Sequence, residues 1–377
     1  MSGIYIHIPF CRQACHYCDF HFSTNFKTKT DLVVALSMEM QLRSEEIMRQ
    51  YHRPETLYFG GGTPSILSHK ELSLIFESLH DHFDLSDCKE ITFEANPEDI
   101  TQSNLNFWLQ LGINRLSLGI QSFQHEKLNF TNRNHDPQGA LSALELIQQY
   151  SFKNVTADLI FGIPPFELEQ WKTDLNQLIS FEIPHLSIYG LTIEPRTVFG
   201  NWQNKGKLIA TDEALMECAF RLTHELLKDH NYEHYEISNY AKKGHESLHN
   251  SAYWEGKVYL GLGPGAHSFD GKKRSYNVSN NAKYIQSIQS QSLPSTHEQL
   301  TDLDRLNETV FTQLRTKKGL DLSQLKSKYG KDLLHDYSHQ IEEWQHQGLI
   351  IQNNNNLKLT LDGMLLADEI SLKMFYG

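Results

Sequence analysis

The feature that most constrains the fold is a repeated alternation of short apolar runs with longer amphipathic runs. The amphipathic runs, at 31–50, 69–83 and 137–150, have helical periodicity. This order predicts a parallel sheet with right-handed crossovers. Strands are expected at 4–9, 56–62, 90–96, 115–121, 154–162 and 185–193. Six such units predict an α/β fold, an open or closed (βα)6 barrel with functional residues at the carboxyl ends of its strands.

The alternation of strand and helix patterns changes after a helix predicted at 212–230, in the segments "YEHYEISNYA" and "KVYLGLGPGAHSF". From about residue 300 the chain reads as three helices followed by a hairpin at 350–364, whose tip is a run of Asn. This order predicts a small winged-helix-like domain. We therefore expect two domains, the barrel with a β extension over 1–295 and a winged-helix-like helical domain over 296–377.

The charge of the chain argues against nucleic acid as a partner. The formal net charge is −12, and residues 301–377 contain nine Lys/Arg against eleven Asp/Glu, where a DNA-binding domain should be basic. Packing against the barrel or a partner is the expected role of this domain. The chain shows neither a secretory signal pattern nor an apolar run of the roughly 18 residues that a membrane span needs. These observations predict a cytoplasmic protein.

Three of the five cysteines lie within "YIHIPFCRQACHYCDFHF", residues 5–22. Cys11, Cys15 and Cys18 follow the first predicted strand, and thiolates at this spacing can bind one iron–sulfur cluster. Zinc is the alternative, but a structural zinc site needs four ligands. Cys88 and Cys218 are expected to be inert buried thiols. Three ligands leave one iron of a four-iron cluster open, which predicts a site for chemistry.

With the aromatic Tyr17 before the last cysteine, this stretch resembles the signature of the radical S-adenosylmethionine (SAM) superfamily. The resemblance extends from residue 5 into the C-terminal domain and is to the branch of oxygen-independent coproporphyrinogen III oxidase. It implies a TIM-like partial barrel, a [4Fe-4S] cluster bound by the three cysteines, and SAM. In that superfamily the amine and carboxylate of SAM bind the open iron.

Other strand ends supply candidate SAM contacts. The glycines of "GGGTP" (60–64) allow a ligand to approach the backbone closely, although a strand-to-helix turn at Pro64 would also use glycine. Acidic residues inside apolar strands are costly unless they are paired or functional. An arginine suits a carboxylate and an aspartate suits ribose hydroxyls. The resemblance implies SAM contacts at Tyr5, Tyr17, Gly61, Gly62, Thr63, Glu94, Gln121, Arg133, Asp158 and Thr192.

Two departures separate the chain from coproporphyrinogen oxidases. Phe20 lies where those enzymes have a fourth cysteine, and the chain begins four residues before Tyr5, without their N-terminal extension. The chain more closely resembles the HemW-type heme chaperones, whose H-N-x-x-Y-W motif is matched by "HNSAYW". A neutral imidazole can bind heme iron, and aromatic faces suit a porphyrin. The resemblance implies heme binding by His249, Asn250, Tyr253 and Trp254.

Three functions are therefore weighed. The first is a heme chaperone that delivers heme to apo-proteins, membrane-associated respiratory proteins among them, with a homodimer also implied by the relatives. The second is oxidative decarboxylation of coproporphyrinogen III to protoporphyrinogen IX. The third is another radical SAM reaction, such as methyl transfer. Phe20 and "HNSAYW" favour the first over the second, and the C-terminal domain argues against the third.

Overall fold

The computed structural model describes residues 2–377. Six parallel strands in sequence order form the centre of its large sheet, and each lies where the sequence predicts a strand. The α/β barrel prediction is therefore confirmed. These strands are β1 (Ser2–Ile8), β2 (Thr56–Gly61), β3 (Glu90–Ala95), β4 (Arg115–Gln121), β5 (Asn154–Phe161) and β6 (His185–Gly190).

Helices connect these strands and pack on the apolar face of the sheet, where side chains such as Ile4, Ile6 and Phe59 are fully buried. The predicted 31–50 helix is continuous only to Leu42 and continues as a short helix and a π-helical turn, Ile47–Tyr51. The helices are α1 (Lys29–Leu42), α2 (Ser44–Glu46), α3 (His69–His82), α4 (Gln102–Gln110), α5 (His125–Phe130), α6 (Pro137–Ile147) and α7 (Leu168–Ser180).

The sheet continues beyond the six barrel strands on both sides. β8 (Asn239–Ala241) pairs antiparallel to β6, and β7 (Glu233–Glu236) pairs antiparallel to β8. On the other side β9 (Val258–Leu262) pairs parallel to β1, followed by antiparallel β10 (His267–Phe269), β11 (Lys273–Asn277) and β12 (Ser295–Gln299). The helices here are α8 (Val198–Asn204), α9 (Glu213–Asp229), α10 (Leu248–Trp254) and α11 (Asn281–Gln289).

The C-terminal residues form helices around a small sheet with an apolar core of their own, which includes Leu306, Val310 and Trp344. The predicted hairpin is present as β14 (Ile350–Asn353) and β15 (Asn356–Leu359), and β13 (Leu320–Asp321) adds a third strand. The helices are α12 (Asp302–Leu314), α13 (Leu322–Tyr329), α14 (Leu333–Asp336), α15 (Ser338–His346), α16 (Leu361–Leu365) and α17 (Ala367–Lys373). The predicted boundary at 295/296 falls at the start of β12, and this boundary stays a prediction.

Ion pairs join the C-terminal helices to the sheet. Arg274 of β11 contacts Glu308 of α12 at 2.7 Å, and Lys317 contacts Glu233 of β7 at 2.8 Å. The first contact places α12 beside β11, and the second places the segment after α12 beside β7. Across residues 2–377, helices that combine the length and the apolar character needed to cross a bilayer are absent.

Candidate functional site

The three clustered cysteines lie on one closed loop at the carboxyl end of β1, which we call the cysteine loop (residues 9–25). The Cys11 amide donates to the Ser23 carbonyl at 3.1 Å, and the Ser23 amide donates to the Pro9 carbonyl at 2.8 Å. Inside this closure the Cys18 amide donates to the Cys15 carbonyl at 3.3 Å. The three cysteines therefore lie on one loop that backbone hydrogen bonds close, and their role as cluster ligands stays a prediction.

Neighbouring segments hold the cysteine loop from outside. The Asn132 side-chain amide donates to the Ala14 carbonyl at 2.7 Å, and the His16 amide donates to the Thr131 carbonyl at 3.1 Å. The Phe199 amide donates to the His16 carbonyl at 3.0 Å. These bonds tie the loop to the segment after α5 and to α8.

The surroundings of the thiols fit an iron–sulfur cluster. The Thr63 hydroxyl donates to Cys11 Sγ and an Arg133 nitrogen donates to Cys15 Sγ, both at 3.5 Å. Burial raises the pKa of Cys11 to about 12 and that of Cys18 to about 11, so metal binding would release protons. No three His, Cys, Asp or Glu side chains within 2–377 converge on a single ion. Three thiolates that bind three different irons have no need to converge in that way.

Arg133 connects the cysteine loop to the barrel. One terminal nitrogen donates to Asn96 Oδ1 at 2.8 Å and to the Gly119 carbonyl at 2.7 Å. Its Nε atom is buried and, among the residues that the structure describes, has no hydrogen-bond partner. A buried guanidinium with an unmet donor beside a thiol fits a carboxylate ligand such as that of SAM.

The glycine motif has a structural explanation as well as the predicted ligand role. Gly61 has φ +105°, and a Cβ atom there would lie 2.3 Å from the His7 ring. A Cβ on Gly62 would lie 2.7 Å from the Ile8 carbonyl oxygen. The Thr63 amide also donates to the Phe10 carbonyl at 2.8 Å. Close approach of β1 to the end of β2 therefore requires glycine without any ligand, and SAM contact there stays a prediction.

Glu94 and Asp158 face the barrel interior, where a cavity of about 50 Å³ is also lined by Asn250. The Tyr58 hydroxyl donates to Glu94 at 2.7 Å. Burial, with a contribution from the negative charge of Asp158, raises the pKa of Glu94 to about 7. Burial raises the pKa of Asp158 to about 6. Titratable groups shifted in this way are typical of functional sites.

The other predicted SAM contacts have varied environments. The Tyr5 hydroxyl bonds to His7 Nδ1 at 3.0 Å, and burial raises the pKa of Tyr17, which hydrogen-bonds to Cys15. Gln121 is buried at the end of β4 with φ +70°. Thr192 lies exposed after β6, and its side chain makes no hydrogen bond to any other part of residues 2–377. The structure therefore does not draw Thr192 into the hydrogen bonds of the site.

The first half of the predicted heme motif is enclosed. His249 is 2% exposed and stacks on Tyr58 with ring centroids 5.0 Å apart. Its Nδ1 atom lies 2.8 Å from the Thr56 hydroxyl and its Nε2 atom lies 2.9 Å from the Tyr253 hydroxyl. Burial lowers the pKa of His249 to about 3. The imidazole is therefore neutral, but both nitrogens are engaged, and binding iron would break one of these bonds.

Two residues that sequence reasoning missed hold α10 in this position. The Glu90 carboxylate accepts hydrogen bonds from the Leu248 amide at 3.0 Å and the His249 amide at 2.9 Å. Arg115, also buried, lies 3.6 Å from Glu90. A carboxylate at a helix N-terminus accepts hydrogen bonds from the otherwise unpaired amides and interacts favourably with the positive end of the helix dipole. The signal was present in the sequence, since each residue is a charged position at the start of a predicted apolar strand.

The second half of the heme motif faces a different space. Tyr253 and Trp254 line a cavity of about 1270 Å³ between the sheet extension and α12. Phe20, which is 73% exposed, lies on the wall that the cysteine loop contributes. The structure thus separates the motif: His249 and Asn250 lie in the barrel, and the two aromatic residues lie in this cavity. We call it the interdomain cavity.

Comparison with known proteins agrees with this architecture. Residues 5–178 match the Radical SAM superfamily, and residues 300–366 match the HemN C-terminal domain. The fold is similar to that of the Escherichia coli coproporphyrinogen III oxidase HemN, a radical SAM enzyme, with a TM-score of 0.84 and 23% identity over 99% of this chain and 90% of that chain.

Sequence similarity identifies a narrower group. The heme chaperone HemW of Bacillus subtilis is 33% identical over 376 residues, which is 98% of each chain. HemW of Escherichia coli K12 is 38% identical over 267 residues, 70% of this chain and 69% of the relative. The cysteine loop, the C-terminal domain and near-complete coverage agree, and the chain belongs to the HemW family of heme chaperones.

Proposed function

We propose that this heme chaperone binds heme in the interdomain cavity and passes it to apo-proteins. The observation that carries this proposal is the cavity itself, whose volume of about 1270 Å³ exceeds the 300–1000 Å³ of most small-molecule sites. Aromatic side chains line it, including Phe20, Tyr253 and Trp254. Their flat apolar faces suit a porphyrin.

The cofactor half of the proposal rests on the cysteine loop. Cys11, Cys15 and Cys18 would hold a [4Fe-4S] cluster, which would supply an electron to SAM when both are bound. Arg133, with its unpaired buried Nε, would hold the carboxylate of SAM, and Asp158 would accept from ribose hydroxyls. The Thr63 and Arg133 hydrogen bonds to sulfur would stabilise the thiolate forms.

The partners of the chaperone are part of the same proposal. Resemblance to HemW proteins supports heme-receiving apo-proteins, including membrane-associated respiratory proteins, as the acceptors, and a homodimer as the working form. A reducing cytoplasm is the compartment proposed, since the cysteines of residues 2–377 are all free thiols.

Oxidation of coproporphyrinogen III is the second candidate, and the likeness to the fold of the Escherichia coli oxidase favours it. Phe20 argues against it, because it stands where the oxidases have a fourth cysteine. The large open cavity also argues against it, because radical chemistry requires that competing reactions be excluded.

One experiment separates the two candidates. Anaerobically reconstituted protein is titrated with heme by absorbance, and the same preparation is incubated with SAM, a reductant and coproporphyrinogen III. We expect a saturable heme spectrum with one heme per chain and no multiple-turnover formation of protoporphyrinogen. Turnover without heme binding would overturn the proposal in favour of the oxidase.

A further inference from the structure

The interdomain cavity contains a histidine outside the heme motif. His267 begins β10, and its side chain is exposed on the same sheet face as Phe269, two residues on, while Ser268 points the other way and is buried. Both His267 and Phe269 line the cavity. The alternation of a strand thus presents an imidazole and an aromatic ring to one space.

The ring nitrogens of His267 are free. Throughout residues 2–377 no hydrogen bond involves this side chain, whose ring contact is a stack on Tyr276 with centroids 5.4 Å apart. Burial and the nearby positive charge of Arg274 lower the pKa of His267. The imidazole is therefore neutral at pH 7, which is the form that binds iron.

The other histidines on the cavity wall are less available. His7 is buried, with Nδ1 bonded to the Tyr5 hydroxyl and Nε2 bonded to the His21 carbonyl at 2.9 Å. His21 Nε2 lies 2.8 Å from Asn281 Oδ1. His249, as described above, has both nitrogens engaged and lies outside the cavity lining.

We infer that heme in the interdomain cavity takes His267 as its iron ligand and that His249 is a positioning residue. This inference rests on the proposed heme-binding function. His249 Nε2 bonds to the Tyr253 hydroxyl, and Tyr253 packs edge-on against Tyr259 with centroids 4.6 Å apart. His249 thereby fixes two aromatic side chains of the cavity wall without touching its contents.

Charged side chains of both signs face the cavity, and most of the cations among them are paired. Its lining includes the cations Lys257, Arg274, Arg305 and Lys328, and the anions Asp19, Glu255, Asp304 and Glu308. Arg274 pairs with Glu308 at 2.7 Å, whereas Lys328, with its ammonium 5.0 Å from the Tyr329 ring, makes no ion pair in the part of the chain described. Lys328 on α13 is therefore the cation free to meet a heme propionate.

The test compares His267→Ala, His249→Ala and a matched control, His346→Ala, whose side chain is exposed on α15 away from the cavity. Each reconstituted protein is titrated with heme, and the Soret position and Kd are recorded. We expect His267→Ala to lose the histidine-ligated spectrum and at least tenfold in affinity. His249→Ala should keep that spectrum with a smaller loss of affinity, and His346→Ala should match the wild type.

Two further measurements keep the result decisive. Added imidazole should restore the ligated spectrum in His267→Gly, because a free imidazole replaces the missing ligand. His249→Gln retains a hydrogen-bonding side chain and covers the case in which His249→Ala fails to fold, with fold and cluster checked by circular dichroism and visible absorbance.

The outcomes separate the inference from the function on which it rests. A ligated spectrum that persists in His267→Ala but disappears in His249→Gln or His21→Ala would overturn the assignment while heme binding stands. A wild-type protein that does not bind heme would instead remove the proposed function itself.

Discussion

The barrel interior beneath α10 and the interdomain cavity each contain a histidine, His249 and His267, and the two imidazoles have opposite environments. In the interior, His249 and Glu90 are buried, Glu94 is half-buried, and all three are hydrogen-bonded within the protein. On the cavity wall, the His267 side chain is exposed and has no hydrogen-bond partner within residues 2–377. Satisfied buried groups specify the structure, whereas unsatisfied accessible groups are available to a ligand.

The largest expected effect lies at the cysteine loop, which contributes Phe20 to the cavity wall. Cys15→Ala should abolish the iron–sulfur cluster, because only three thiols on this loop are available. The broad visible absorbance and the iron content after anaerobic reconstitution measure the loss. Cys88→Ala, which changes a cysteine before β3, is the control and should retain full iron content. A cluster that survives loss of Cys15 but not of Cys88 would contradict the ligand assignment.

The second effect tests how much the buried Glu90–Arg115 pair of the interior contributes to stability. Glu90→Ala removes the carboxylate that caps α10 and leaves Arg115 buried without its partner, 3.6 Å away. We expect the free energy of unfolding to fall by about 3–5 kcal/mol. Urea denaturation measures it, and Glu77→Ala, at an exposed position of α3, should change it by less than about 0.5 kcal/mol. A loss of under about 1 kcal/mol for Glu90→Ala would mean that this pair contributes little.

The third effect is a pH dependence of the free energy of unfolding, caused by Glu94 in the barrel interior. Burial raises the pKa of Glu94 from 4.5 to about 7 in the folded protein, so folding takes up a proton between these values. The contribution of Glu94 to stability is thus greatest below pH 4.5 and is lost as the pH rises to about 7. Relative to Glu94→Gln, the wild type should lose at most about 3 kcal/mol across this window. Parallel unfolding curves for the two proteins at pH 4.5 and pH 7 would contradict the shift.

The smallest expected effect is at the cavity wall, where Phe20 should matter for heme binding and not for stability. Phe20→Ala removes an exposed ring from the cavity wall and should leave the free energy of unfolding within about 0.5 kcal/mol of the wild type. Heme affinity should fall about fivefold, or roughly 1 kcal/mol, since the ring is covered on one side only. Denaturation and heme titration of the same preparation measure both quantities. A large loss of stability with unchanged heme affinity would assign Phe20 to the structure instead.

The barrel strands were accessible from the sequence because buried parallel strands are continuous apolar runs bounded by turn residues. β4 was predicted to the residue, at 115–121, whereas β6 ends at Gly190 and not at 193. The cysteine loop was equally accessible, since its three cysteines are neighbours along the chain. Local patterns therefore predicted the barrel strands and identified the segment that carries the three candidate cluster ligands.

The division of the heme motif could not be predicted in this way. Whether His249 is enclosed depends on Thr56 and Glu90, which come from strands far away in the sequence. The exposure of His267 depends on β9 pairing with β1 and on α12 lying over the extension. A histidine within "KVYLGLGPGAHSF" has no local pattern that distinguishes a free imidazole from a packed one.

The short span from Cys18 to Phe20 has a thermodynamic consequence. Two residues reach at most about 7 Å, so one closed loop both presents a thiol to the proposed cluster and forms a wall of the cavity. If cluster binding and heme binding are coupled in free energy, thermodynamic linkage makes the coupling the same in both directions. A bound cluster that changes the affinity for heme by a given factor implies that bound heme changes the affinity for the cluster by that same factor.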